Sequence, residues 1–165
     1  MAKNDARMHA IGEVDEANSA IGVAIAALGP GADADRLTVI QNDLFDLGAD
    51  LATPGEDFAP SEMVLRIVAA QVDRLEAEID AMNADLEPLR SFILPAGTPA
   101  AAALHVARAT VRRAERAAVA SAALTSINPL ALAYVNRLSD HLFVFARAVN
   151  NRAGGDVLWI PGASR

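Results

Sequence analysis

No cysteine occurs in the chain, which excludes disulfides and thiolate chemistry. Aromatic residues make up only 4% of the sequence, and the single Trp lies in the tail GDVLWIPGASR, where it is expected to cover an edge of the core rather than meet a ligand. Positive charge is also in short supply. Fourteen Lys and Arg stand against 21 Asp and Glu, a formal charge of −7, which argues against general attraction to nucleic acid. The longest stretch free of charged residues, Ala117 to Asn136, is broken by Thr125, Ser126, Asn128 and Pro129, so no membrane span is predicted. Nor does any segment combine a basic start, an apolar centre and a cleavage site, which leaves the cytoplasm as the expected compartment.

What is present is a short, apolar, helix-forming chain. Its 165 residues suit one domain spanning 1–165, large enough to bury about two-thirds of the surface of the unfolded chain. A hydrophobic content of 53% with mean hydropathy +0.24 is high for a small single globule. Much of it is alanine, which helices use for its propensity, and the remainder points to subunit interfaces. Met8, Ile11, Val14, Ala17, Ile21, Ile25 and Leu28 set a helical period that Gly29-Pro30-Gly31 stops. Gly12 and Gly22 lie inside it and are expected to mark close approach of a neighbouring helix or a ligand, close packing being the plainer reading. A second helix, roughly Asp35 to Leu51, repeats Leu37, Ile40, Leu44, Leu47 and Leu51 before Thr53-Pro54-Gly55. Ser61 is a candidate cap for a third, with Leu65, Val68, Val72, Leu75, Ile79 and Met82 inward and an outer Arg74/Glu78 pair.

The remaining two helices begin on a sharper device. Thr98-Pro99 and Asn128-Pro129 each join a side-chain cap to a proline whose missing N–H had no partner to lose. The last helix points Val135, Leu138, Leu142, Phe145 and Val149 inward and stops at Gly154-Gly155. Five periodic helices with short links and no alternating strand pattern predict an all-α, up-and-down five-helix bundle. A di-metal carboxylate bundle is excluded, because no Glu has a His three residues later.

Charge is concentrated on the fourth helix. Leu104, Ala107, Val111, Ala114 and Ala118 form its packing stripe, while Arg108, Arg112 and Glu115 form a second. His105, Arg108, Arg112, Arg113 and Arg116 gather cationic or potentially cationic groups within about three turns, which in an acidic chain reads as a site for a small anion. On the fifth helix Asn136, Asp140, Phe143 and Arg147 make a polar lane beside the inward face. On the first, Asp15 and Asn18 share a face. A helix-to-helix polar network is the structural alternative for the α5 lane, and an ion pair with an arginine is the alternative for Asp15.

These stretches carry a resemblance. FILPAG at Phe92 to Gly97, LHVAR at Leu104 to Arg108 and RRAER at Arg112 to Arg116 resemble the signature of the PduO-type ATP:cob(I)alamin adenosyltransferases, approximately F-I-L-P-G-G, L-H-x-A-R and R-R-A-E-R. GEVDEANSAIG at Gly12 to Gly22 and NRLSDHLFVFAR at Asn136 to Arg147 agree as well, so the likeness runs through most of the chain in order. Ala96 replaces the first signature glycine. The family usually begins with a T-R-T-G-D-x-G-x-T-like segment that wraps the triphosphate, and this chain starts just after that point, so fold and cobalamin affinity are expected to survive better than turnover.

The resemblance implies a ferritin-like, cobalamin adenosyltransferase-like bundle that forms a homotrimer with sites between subunits. It implies transfer of the 5′-deoxyadenosyl group of ATP to cob(I)alamin with Mg²⁺ present, and as possible partners a cobalamin reductase and an adenosylcobalamin-dependent mutase. By position, Arg108, Arg112, Glu115, Asn136 and Lys3 correspond to ATP-binding residues. Asp15 corresponds to a carboxylate paired with Arg108 across a subunit boundary beside the corrin. Phe92 corresponds to a ring placed against the lower corrin face, where it displaces the axial base; without the resemblance, Phe92, Ile93 and Leu94 read as an apolar anchor for the loop. A non-catalytic carrier of cobalamin or adenosylcobalamin is the alternative function.

Overall fold

Helix boundaries follow local capping chemistry. In the computed structural model, which describes residues 1–165, the elements are α1 (Ala6–Leu28), α2 (Ala32–Ala52), α3 (Ala69–Asn83), α4 (Pro99–Ala122) and α5 (Pro129–Asn151), with no strand. The Asp5 carboxylate accepts from the N–H of Arg7 at 2.8 Å, the Thr98 hydroxyl from Ala101 at 3.1 Å, and the Asn128 side chain from Leu130 at 3.0 Å. Each satisfies a donor the first helical turn leaves open. At the other end of α1, Gly29 takes φ 74° and donates back to the Ile25 carbonyl at 3.1 Å, a conformation glycine adopts without a Cβ penalty.

The third helix departs from expectation. Ser61 does not cap it: Ser61 and Val64 close a tight turn on each other, and α3 starts only at Ala69. The cause is Asp50 on α2. Its Oδ1 receives Arg66 Nη1 at 2.8 Å and its Oδ2 receives the Ile67 N–H at 2.8 Å, so residues 66–68 are drawn across the end of the bundle in extended form. The Gln71 side chain then accepts from the Val68 N–H at 3.0 Å. Leu65 is consequently exposed, and Ile67 takes the buried place.

End-to-end contacts give the topology. Arg7, at the start of α1, donates to the Leu51 carbonyl at the end of α2 and to Thr125 beyond the end of α4. Asn128, at the start of α5, donates to the Ile67 carbonyl just before α3. Thus α1, α3 and α5 run one way and α2 and α4 the other, as an up-and-down bundle requires. In space α1 lies between α2 and α4, and α5 between α4 and α3 with an edge on α2. The core is aliphatic, with Ile21, Leu37, Ile40, Leu47, Leu75, Leu104, Leu138 and Leu142 all essentially sealed. Alanine also packs. Ala10, Ala17 and Ala24 on α1, and Ala107, Ala114 and Ser121 on α4, recur every seven residues and are buried where these helices make the fold's most extensive contact. Small side chains let the two backbones approach.

Two polar knots hold the outer helices. Asp43 on α2 accepts from Tyr134 Oη at 2.8 Å, from Gln71 Nε2 at 3.0 Å and from Arg74. Arg74 is therefore turned to Asp43 and not, as its i,i+4 spacing predicts, to Glu78. Burial, then the Asp43 charge, holds the Tyr134 phenol far above its ordinary range, so it stays a donor. Of the two glycines inside α1, Gly22 lies against Gln41, where a Cβ would sit 3.3 Å from Nε2, but Gly12 has nothing within 4 Å. Close approach at Gly12 is not met within the chain, because it opens onto the α1–α2 groove.

Candidate functional site

The seam between α4 and α5 turns one polar lane outward. Asn136 Nδ2 donates to Glu115 Oε1 at 2.8 Å, which fixes one end of the lane. Further along, the Arg108 guanidinium lies 6.0 Å from the centre of the Phe143 ring, and His105 meets the same ring edge-on at 6.2 Å. Phe143 thus supports the guanidinium by cation–π attraction. Arg112, one turn on from Arg108, is exposed.

The five-residue cationic cluster expected on α4 is smaller in the fold. Arg113 is drawn away to α1, where its Nε meets Glu13 Oε2 at 2.6 Å and Glu16 takes a second nitrogen. His105 is 3% exposed, and burial, reinforced by Arg108 and opposed by Asp156, lowers its pKa from the ordinary 6.5. It is neutral at pH 7. That leaves Arg108, Arg112 and Arg116, none of which forms an ion pair within the chain, whereas Arg7, Arg66, Arg74 and Arg147 are all committed to fixed partners. The Arg108 Nε is buried with no acceptor, and its pKa is lowered first by burial and then by Arg112. Adjacent arginines without carboxylates, one with a stranded donor, have the chemistry that could hold an anion.

Phe143 also shares a cleft with the loop of Phe92. The ring is 76% exposed on a cleft of about 400 Å³ shared with Leu89, Arg90, Ser91, Ile93 and Phe143. Phe143 therefore joins the arginine lane to the Phe92 cleft. The loop is gripped from α5: Asn150 Nδ2 donates to the Ala96 carbonyl at 2.9 Å, and its Oδ1 accepts from the Thr98 N–H at 3.1 Å. Gly97 takes φ 123° with no room for a side chain, since a Cβ there would fall 2.5 Å from Asn150 Cγ. Ala96, by contrast, has no positive φ, so its methyl causes no backbone strain.

Phe92, Arg108, Arg112, Glu115 and Asn136 are thus gathered on one side of the bundle. Asp15 and Lys3 are not. Asp15 is exposed on the α1–α2 face, in a groove of about 450 Å³ with Met8, Ile11, Leu44 and Phe45, and forms no ion pair within the chain. Lys3 is exposed ahead of α1 and also unpaired. Of the lane expected on α5, Asp140 pairs with Arg137 on its own helix and Arg147 with Asp156 of the tail. Phe143, named only as a member of the α5 lane, meets both Arg108 and the Phe92 cleft, and Asn150, which holds the loop, was not named from the sequence. Asn150 carried a signal, a polar residue on the inward period of α5, but its loop partners are over 50 residues away.

The cobalamin adenosyltransferase family model matches residues 1–149. The corrinoid adenosyltransferase of Mycobacterium tuberculosis H37Rv is 51% identical over all of this chain and 86% of its own length, and that of Bacillus subtilis is 43% identical over 94% of this chain and 80% of its own. Among solved structures, a variant PduO-type ATP:corrinoid adenosyltransferase of Lactobacillus reuteri complexed with cobalamin and ATP superposes with a TM-score of 0.84 at 39% identity, covering 96% of this chain and 88% of that one. Another variant of it, complexed with ATP, gives 0.85 at 37% identity over 97% and 90%. With a five-helix bundle, an unpaired arginine lane and likeness across the whole chain, the protein belongs to the PduO-type cobalamin adenosyltransferase family.

Proposed function

We infer that the protein transfers the 5′-deoxyadenosyl group of ATP to cob(I)alamin, forming adenosylcobalamin and releasing triphosphate. The reduced cobalt supplies the electron pair that attacks C5′, the C5′–O bond breaks, and the leaving oxygen keeps its electrons. No protein base is needed. What the chain must supply is alignment and a cationic cradle for the departing charge, and the observation that carries this reading is the free Arg108/Arg112 pair beside the Phe92 cleft. Arg112 and Arg108 bind phosphate oxygens, for which a guanidinium fork is suited; the Glu115–Asn136 pair orients the nucleoside, and Lys3 meets the phosphates. Phe92 lies against the lower corrin face, excluding an axial base so that cob(II)alamin becomes easier to reduce. No three His, Asp or Glu side chains gather into a cluster, and Mg²⁺ at nucleotide sites is held chiefly by the substrate phosphates and water. Any magnesium that accompanies ATP is carried by its phosphates.

The working unit is a homotrimer. Asp15 and Arg108 lie on different faces of one bundle, and each lacks a partner there. Joining the α1–α2 face of one copy to the α4–α5 lane of the next pairs them, and a head-to-tail contact whose rotation is a third of a turn closes into a three-membered ring. The exposed Phe45 and Met8 are covered by the same step. The enzyme works in the cytoplasm between a reductase that supplies reduced cobalamin and a mutase that takes the product. No helix is long and apolar enough to cross a membrane.

The decisive assay is conversion of chemically reduced cob(I)alamin and ATP to adenosylcobalamin, followed by absorbance and by release of triphosphate. Binding of both ligands without turnover would refute the enzyme and leave a carrier. Light scattering should give about three times the chain mass of 17.2 kDa, and a monomer at micromolar concentration refutes the shared site.

A further inference from the structure

Phe92 presents a largely exposed apolar ring from a loop. An exposed phenylalanine samples its staggered χ1 wells freely. The structure supplies a restraint from the tail that follows α5. Leu94 N–H donates to the Val157 carbonyl at 2.7 Å and Trp159 N–H donates to the Phe92 carbonyl at 3.0 Å, so the loop and tail run antiparallel, with Ile93 opposite Leu158. This pairing places the Trp159 ring against the Phe92 ring, with centroids 5.7 Å apart and planes at 67°, an edge-to-face contact.

The tail is itself anchored. Arg147 Nε meets Asp156 Oδ2 at 2.9 Å, with both side chains about nine-tenths buried. The same guanidinium donates to the Glu87 carbonyl at 2.9 Å, five residues before Phe92. One arginine on α5 therefore grips the beginnings of both paired segments, while Asn150 grips the far end of the loop. Between these fixed points Trp159 is the one aromatic ring paired with the Phe92 ring.

We propose that the tail segment 156–159 is the positioning element for Phe92, with Trp159 selecting the direction in which that ring is presented to the corrin. Trp159 is a positioning residue and touches no reacting atom. The proposal rests on the reading of Phe92 as the residue that excludes the axial base. It predicts that cobalt coordination depends on Trp159 while nucleotide binding does not.

The test uses the full chain, ATP and cob(II)alamin, and reads the four-coordinate cob(II)alamin signal by electron paramagnetic resonance. Trp159→Ala should keep the helical circular dichroism and an ATP affinity within about twofold, yet lose about two- to tenfold of the four-coordinate population, the range expected for one aromatic pair. Trp159→Phe, which keeps an aromatic edge, should restore most of it. An undiminished signal in Trp159→Ala, alongside its loss in Phe92→Ala, overturns the proposal and leaves the role of Phe92 standing. If Phe92→Ala also retains the signal, the underlying reading fails and the proposal with it. A second readout needs no change at Trp159. As the only tryptophan, it reports the contact by its own fluorescence, and Phe92→Ala should shift its emission to the red and raise its quenching by acrylamide. Unchanged emission would show that the two rings do not meet in solution, which also overturns the proposal.

Discussion

Replacing Arg112 with alanine separates a ligand-facing arginine from a structural one, because the two roles predict opposite patterns in stability and affinity. Arg112 is exposed, forms no ion pair within the chain, and acts on its surroundings by lowering the pKa of Arg108. Its removal from the free protein takes away a like-charge neighbour and installs the best helix former. The change in folding stability should stay within about 0.5 kcal/mol. With ATP the balance reverses. One charge-assisted hydrogen bond to a phosphate contributes about 1.5–3 kcal/mol, so the dissociation constant should rise about 10- to 150-fold per bond lost. At an ATP concentration of about 100 wild-type dissociation constants, binding stabilises the wild type by about 2.7 kcal/mol. A variant weakened about 100-fold gains only about 0.4 kcal/mol at the same concentration. In a domain of this size that is a melting shift of about 5–10 °C against about 1 °C. Calorimetric melting with and without ATP, together with titration calorimetry, measures both quantities. A variant that melts far below the wild type when free, yet keeps the ATP shift, refutes the anion role and makes Arg112 a structural residue.

Three further outcomes follow from the same geometry. Asp50→Ala should cost about 3–5 kcal/mol in urea unfolding, since it leaves the buried Arg66 guanidinium without its carboxylate and removes one acceptor of Asn128; a loss under about 1 kcal/mol would show the knot to be inert. The imidazole of His105 is held below its ordinary pKa of 6.5, so between the folded and unfolded values only the unfolded chain takes up the proton, and stability present above about pH 6.5 is lost as the pH falls. His105→Gln should flatten that acid-side loss of melting temperature, and an unchanged slope would rule it out. In a double-mutant cycle, Asp15→Asn and Arg108→Ala should each weaken both trimer and turnover and together cost less than their sum; strictly additive losses would show that the pair does not form.

Local signals in the chain were strong enough to give the bundle without any contact being known. Apolar residues every three or four positions, with Thr98-Pro99 and Asn128-Pro129 as starts and Gly29 as a stop, act over a few residues and are satisfied in the fold as written. The third helix failed the same treatment. Ser61 is as good a cap as Thr98 by type, but the Asp50 carboxylate, from another helix, outbids it by taking the Ile67 N–H and the Arg66 guanidinium. Residues on α4 could be read as cationic from their types alone, yet which of them remain free depends on what surrounds them. Glu13 and Glu16 remove Arg113, and burial keeps His105 neutral. The family was legible from motifs because they are contiguous stretches whose order survives in one dimension. Tertiary structure alone decided that Phe143 links the arginine lane to the Phe92 cleft, that Asn150 and the tail hold the loop, and that Asp15 lies on another face from Arg108. Those relations join residues tens of positions apart, and hydrogen bonds and packing at such separations leave no periodic trace in the chain.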